Sequence, residues 1–254
     1  MTKNKIIINA TCDGEKPTGV GVFNRELTKR LIEIDPDIFI PYLTVDFLPN
    51  TVQKKVYSLT LSTSAGSKGQ FLRWLWTQTL LNFSGCKFIF STVPEGPLLL
   101  QNKAMVIHDI LALKYPEYYP RQKYYYKYFM PLLLRTSKIL FFDSESAKKD
   151  VYGYYKLKNK PFKVIYPGYD TAIFSPKEKG YIQSKYGLSN YFLFVGEMRP
   201  YKNIMNAIHA FQKSELRKVK FVIAGKKESR FFPEIQELVT DLEMQDRIIF
   251  MDYV

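Results

Sequence analysis

The sequence predicts an α/β protein of two doubly wound parallel-sheet units, the second smaller than the first. Short, continuous Val/Ile/Phe runs alternate with amphipathic helical stretches along most of the chain, and buried parallel strands read as such unbroken runs. The pattern pauses at a polar, Pro/Gly-containing stretch, YPGYDTAIFSPKEKG, and then restarts. Two of the runs, VIHD and FLFVG, pass directly into residues suited to chemistry or tight turns. In open α/β sheets, sites form at the carboxyl ends of the strands.

The first unit is expected over residues 1–172, a link over 173–190 and the second unit over 191–254. Strands are read at KIIINA (5–10), IFIPYLTV (38–45), KKVYSLTL (54–61), KFIFST (87–92), AMVIHD (104–109), KILFFDS (138–144) and FKVIYPG (162–168). GVFNRELTKRLIEI, FLRWLWTQTLLN, RQKYYYKYFMPLLLRT and SAKKDVYGYYK lie between several of these strands and read as helices. The second unit reads as a βαβαβ series: YFLFVG, a helix from Asn203, KFVIAGK, a helix near PEIQELVTDL, and RIIFMDYV. Three strands in so short a stretch leave the last one an open edge, so this unit reads as incomplete.

An apolar content of 46% and a charged content of 24% describe an ordinary soluble globular chain. Cys12 and Cys86 offer neither a disulfide framework nor metal-ligand spacing, and the simple reading is a reducing cytoplasm. The opening MTKNKIIINA is too brief for a signal peptide, and PLLLRTSK is broken by charge before it could span a bilayer. The net charge of +13 is concentrated in residues 1–170, which hold 24 Lys and Arg against 14 Asp and Glu. That excess favours an anionic partner such as phosphate, acidic lipid or nucleic acid.

Three stretches carry candidate chemistry. In VGEMRPYKNI, a strand ends at Gly196 and a helix begins near Asn203, which can cap it. Helix amino termini present N–H groups and a positive dipole end to phosphate, and Arg199 and Lys202 add full charges. Two solvated loop cations are the plainer alternative. KPTGVGVFNREL places Gly19 and Gly21 ahead of a helix, where backbone N–H groups could approach a ligand or simply turn the chain. AMVIHDILALKYPEYYP sets His108 and Asp109 at a strand end. The imidazole could donate to a hydroxyl or phosphate, with Asp109 orienting it or capping the next segment; a structural role also stays open. Asp35-Pro36-Asp37 reads as a turn and His209 as an ordinary helix residue.

PTGVGVFNREL, VIHDILALKYPEYYP, ILFFDSESAKKDV, VIYPGYDTAIFSP and FLFVGEMRPYKNIMNAIHAF occur in one order along the chain. Together they resemble the family 4 (group 1) retaining glycosyltransferases of the GT-B fold, which has two Rossmann-like domains. The resemblance implies a hexosyltransferase that moves a sugar from a nucleotide diphosphate donor to a saccharide or lipid-linked saccharide hydroxyl. It implies that Arg199 and Lys202, beside Gly196, hold the donor diphosphate, and that His108 contacts the transferred sugar. The Gly19–Gly21 stretch would lie near phosphate and acceptor, and Ser144 and Glu145 would be structural or cleft-lining. It implies no metal and no other cofactor. Glu197 stands where the family often has Arg. The family's glutamate-rich segment after the second-domain strands has no counterpart before FMDYV, so truncation, or a partner chain completing the domain, is expected.

Residues 114–138 carry six cations against Glu117 alone, interspersed with seven tyrosines. Such a helix suits an anionic membrane surface at the cytoplasmic face, or it is a core helix with a solvated basic side. A basic–aromatic module for single-stranded nucleic acid is the alternative from another class. No nucleic-acid motif accompanies it, so no nucleic acid is expected as a partner.

Overall fold

The structure, a computed structural model of the 254-residue chain, describes residues 6–10, 17, 19–34, 66–82, 85–176, 180–225, 227 and 230–252. For residues 66–70 and 80 it describes the backbone only. The strands read at 38–45 and 54–61, the Asp35–Asp37 turn, Cys12 and most of the loop before Gly19 lie outside the described residues. The chain divides into two compact units, Met1–Gly168 and Tyr169–Val254.

In the first unit, β1 (Ile6–Asn9), β2 (Phe88–Ser91), β3 (Lys103–Ile107), β4 (Ile139–Phe142) and β5 (Phe162–Val164) form one parallel sheet in that spatial order. All five residues of β3 are buried, as expected where both faces of a parallel strand are covered. Met105, Ile107, Leu140 and Phe142 share a core with Met130, Leu133 and Val151. Fully burying each such side chain contributes about 1.5–3 kcal/mol.

Helix α1 (Gly19–Ile34) buries Asn24, Thr28 and Ile32 along one stripe. Helix α2 (Gly66–Trp76) runs on into a π turn, Thr77–Leu81. After the short α3 (Leu111–Lys114), a second helical run comprises α4 (Gln122–Tyr124), a π segment (Tyr125–Phe129) and α5 (Met130–Thr136). Pro131 sits in the first turn of α5. It offers no N–H to the preceding turn, and the π segment directly before it absorbs that break. Helix α6 (Glu145–Tyr155) is capped by Ser144, whose Oγ accepts the Ala147 N–H at 3.1 Å.

The second unit holds a parallel sheet of β6 (Tyr191–Val195), β7 (Lys220–Ala224) and β8 (Ile248–Met251). Helix α7 (Tyr181–Tyr186) precedes it, within the stretch read as a link. Helices α8 (Ile204–Lys213) and α9 (Phe232–Asp241) pack Ile204, Ile208, Ile235 and Val239 onto Phe221 and Ile223. On β6, by contrast, Phe192, Leu193 and Val195 are each at least half exposed.

Candidate functional site

Polar groups gather at the carboxyl end of the first sheet, each delivered by the last residue of a strand or the first beyond it. Asn9, Ser91 and Thr92 are fully buried there. Burial of such groups is tolerated because they hydrogen-bond one another. The Thr92 N–H donates to the Asn9 carbonyl at 3.1 Å, and Asn9 Nδ2 donates to the Glu95 carbonyl at 2.8 Å. The Glu95 carboxylate faces the Arg73 guanidinium of α2 at 3.4 Å. Tyr125 donates its hydroxyl to the Pro94 carbonyl at 2.8 Å. Burial, and secondarily the Glu95 charge, pushes this phenol well above its usual range, so it stays a neutral donor.

His108 stands at the centre of this edge. Its Nδ1 lies 3.1 Å from Asp143 Oδ2, and its Nε2 lies 3.0 Å from the Thr92 carbonyl. The ring is thus held between a carboxylate and a backbone carbonyl. The Phe23 ring meets the imidazole edge-on at a centroid distance of 5.0 Å.

Asp109 does not orient His108. Its Oδ1 accepts the Leu111 N–H at 2.9 Å, so it caps the start of α3. The orienting carboxylate is Asp143, 35 residues further on. Strand register explains the substitution: Ile107 pairs with Phe142 across β3 and β4, and His108 and Asp143 are the next residues on each strand. Neighbours in sequence point to opposite sides of a strand, whereas register neighbours share a side. The signal for this pairing is that both VIH and FFD end an apolar run in a polar residue.

Gly19 and Gly21 form no loop. Both lie in the first turn of α1, where Gly21 is buried, and two residues later the same helix delivers Phe23 to His108. Ser144 is a helix cap, and Glu145 is an exposed partner of Lys148 at 3.1 Å.

In the second unit, Gly196, Arg199 and Lys202 occupy one turn between β6 and α8. Gly196 has φ +152°, and a Cβ placed on Gly225 would stand 2.0 Å from the Gly196 carbonyl oxygen. Two glycines therefore let the ends of β6 and β7 approach closely. A 3₁₀ turn, Pro200–Lys202, leads to Asn203, which adopts a left-handed conformation (φ 59°). Asn203 makes no side-chain cap; its Oδ1 accepts from Asn206 Nδ2 at 2.6 Å instead. Arg199 Nε pairs with Glu197 at 2.5 Å. Lys202 is exposed, with its ammonium 5.7 Å from the Tyr201 ring. The turn thus sets two cations beside a helix amino terminus, an arrangement suited to an anion. Among the described residues no His/Cys/Asp/Glu cluster could hold a metal ion, and no helix is long and apolar enough to cross a membrane.

In parallel α/β sheets, sites form at the carboxyl ends of the strands, where these polar groups lie, and the fold matches that of GT-B glycosyltransferases. Residues 180–254, which include the Gly196–Lys202 turn, match the family model described as Glycosyl transferases group 1. O-antigen chain mannosyltransferase RfbU of Salmonella typhimurium is 27% identical over 187 residues, covering 71% of this chain and 48% of that protein. The chain therefore spans about half the length of that curated relative. Anabaena HepE, solved in complex with UDP-glucose, superposes with a TM-score of 0.71 at 17% identity, over 98% of this chain and 69% of that one. Sucrose-phosphate synthase from Thermosynechococcus elongatus gives a TM-score of 0.75 at 13% identity, over 99% and 71%.

Proposed function

We propose that the chain acts as a hexosyltransferase. It moves a sugar from a nucleotide diphosphate donor to the hydroxyl of a saccharide or lipid-linked saccharide, with retention of configuration. The observation that carries this reading is the Arg199–Lys202 turn at the amino terminus of α8, inside the segment that matches the group 1 model. Arg199 and Lys202 hold the diphosphate and neutralise the charge that grows on it as the glycosidic bond breaks. Gly196 and Gly225 let the ends of β6 and β7 approach closely beside the turn. HepE, a structural neighbour, was solved with UDP-glucose, which fits a donor of this class.

In this reading His108 contacts the transferred sugar. Its Nε2 lies 3.0 Å from the Thr92 carbonyl, so a sugar hydroxyl competes with that carbonyl for the ring nitrogen while Asp143 holds the other side of the ring. Fixed cations and a helix terminus supply the electrostatics, and no metal or other cofactor is called for.

The test is calorimetric titration of the purified chain with UDP, GDP and their sugars. Arg199→Ala combined with Lys202→Ala should weaken binding of the preferred nucleotide at least tenfold. Unchanged affinity would sink the site assignment. With a productive acceptor, proton NMR of the first product formed would reveal its anomeric configuration, and inversion would refute the retaining mechanism.

A further inference from the structure

The helical run from Gln122 to Thr136 buries Met130, Leu133 and Leu134, and turns a different side outward. On that outer side Tyr124, Tyr128 and Leu132 recur every fourth residue, 55%, 58% and 47% exposed. The rings of Tyr124 and Tyr128 lie parallel, 6.4 Å apart, so the two share one face. Helix α2 joins this run through an edge-on contact of Trp74 with Phe129 at 5.4 Å, and exposes Phe71 and Leu75. A packed pair of helices thus exposes large apolar and aromatic side chains together. Scattered exposed apolar residues need no explanation, but a grouped set rimmed by charge does.

The charge is of one sign. A pocket of about 340 Å³ opens beside Tyr124, lined by Leu113, Pro116, Lys123, Tyr124, Lys127 and Tyr154. Its lining holds two ammonium groups and no carboxylate. Among the described residues neither Lys123 nor Lys127 forms an ion pair; each lies over a neighbouring tyrosine ring, at 5.1 and 5.5 Å. The carboxylate of Asp150, one turn before Tyr154 on α6, is already held by Lys114 at 2.5 Å. No Asp or Glu occurs between Glu117 and Asp143, while Arg121, Lys123, Lys127, Arg135 and Lys138 all do.

We infer that this face of the first unit is a docking site for an anionic phospholipid surface. Lys123 and Lys127 receive a lipid phosphate in the pocket, and Tyr124, Tyr128 and Leu132 enter the headgroup boundary. Tyrosine suits that depth because its ring is apolar and its hydroxyl remains wet. The long lysine stems lie along apolar surface while their heads stay at the phosphate level. Charge complementarity chooses this occupant over an acceptor protein, since the pocket offers cations without the paired acids of a mixed-charge interface. The site shares no residue with the His108 edge or the Arg199–Lys202 turn, and the inference stands without the transfer reaction.

The experiment is co-sedimentation of the full chain with vesicles of phosphatidylcholine alone, or with about one-third phosphatidylglycerol. Binding is expected only to the anionic vesicles and should be lost as salt rises. Lys123→Ala with Lys127→Ala should weaken it by about 30-fold, the effect of two cations near an anionic surface. Tyr124→Ser with Tyr128→Ser should weaken it at every salt concentration. Lys213→Ala with Lys218→Ala, which removes the same charge from the second unit, should leave binding unchanged, and thermal melts would establish that all variants are folded. Equal binding to neutral vesicles, no binding to either, or equal losses in both lysine pairs would overturn the proposal. So would tighter binding to a single-stranded oligonucleotide that depends on the same lysines.

Discussion

The carboxyl ends of the two sheets are built by opposite means. In the first unit the polar groups bind one another: Asn9 to the Glu95 carbonyl, Thr92 to Asn9, and His108 to both Thr92 and Asp143. In the second unit the edge is shaped by backbone, with Gly196 and Gly225 in close approach, and Arg199 and Lys202 stand just before and at the end of a 3₁₀ turn. One edge is preorganised because its groups also hold the fold. The other sets its cations on the turn that leads into α8, Arg199 beside Glu197 and Lys202 beside the Tyr201 ring. The difference can be broken or sharpened by substitution.

The largest effect is expected where backbone meets backbone. In Gly225→Ala the new methyl would stand 2.0 Å from the Gly196 carbonyl oxygen, which no rotamer can relieve. The strand ends must separate, at a cost of about 3 kcal/mol or more, the upper end of overpacking effects. Gly153→Ala is the counterpart in the first unit. It lies inside α6, nothing approaches within 4 Å of its added methyl, and it should stabilise by about 0.5–1 kcal/mol. Urea unfolding of both variants decides the matter. If Gly225→Ala is as harmless as Gly153→Ala, the second edge is not built by close approach.

The same sheet that gathers polar groups at its carboxyl end also buries Lys103 at its amino end, with no carboxylate among its hydrogen-bond partners. Its ammonium donates to the Leu100 carbonyl at 2.6 Å and to Thr136 Oγ1 at 2.7 Å. Burial, assisted by the Lys160 charge, pulls it down to about 8. The folded pKa therefore lies below that of the unfolded chain. Below pH 8 both states bind the proton, and the folded state bears the full cost of a buried charge. Above pH 8 the folded protein releases the proton while the unfolded chain keeps it until about pH 10.4. Stability should thus rise between pH 8 and 10, by up to about 3 kcal/mol. Lys103→Met should remove most of that rise. A wild-type curve that is flat or falling from pH 8 to 9.5 would refute the assignment.

These edges are unequally legible in the sequence. Continuous apolar runs announce the strands, and β3, buried along its whole length, shows why such a run leaves no room for alternation. The same runs cannot reveal that β6 leaves Phe192, Leu193 and Val195 exposed, since YFLFV is as apolar as KAMVI. Gly196, Arg199 and Lys202 can be found because a turn is local in sequence. The partner of His108 cannot, because Asp109 is adjacent in the chain while Asp143 is adjacent in the sheet. Gly19 and Gly21 suggest a loop, although the helix begins at the first of them. Their flexibility does not prevent a first turn whose sequel is packed by Asn24, Thr28 and Ile32. Asn203 has the residue type of a cap, but its left-handed backbone turns its side chain toward Asn206.

The smallest expected effect is the most discriminating. Arg199 Nε and Glu197 form a pair at 2.5 Å, but their side chains are 30% and 38% exposed. Exposed pairs contribute about 0–1 kcal/mol, because water screens them and two long side chains must be ordered. Lys202 is bonded to nothing that the fold requires. Arg199→Ala with Lys202→Ala should therefore change unfolding stability by less than about 0.5 kcal/mol. Asp143→Ala leaves His108 Nδ1 without its acceptor at a mostly covered position, and should cost about 1–2 kcal/mol. Thermal unfolding of the two variants beside the wild type gives both numbers. Should the double variant lose as much as Asp143→Ala, the Arg199–Lys202 turn is part of the scaffold, and the case for a diphosphate weakens with it. Should it lose nothing, the positive charge on that turn needs a reason outside the fold, and an anionic ligand is the one that its geometry fits.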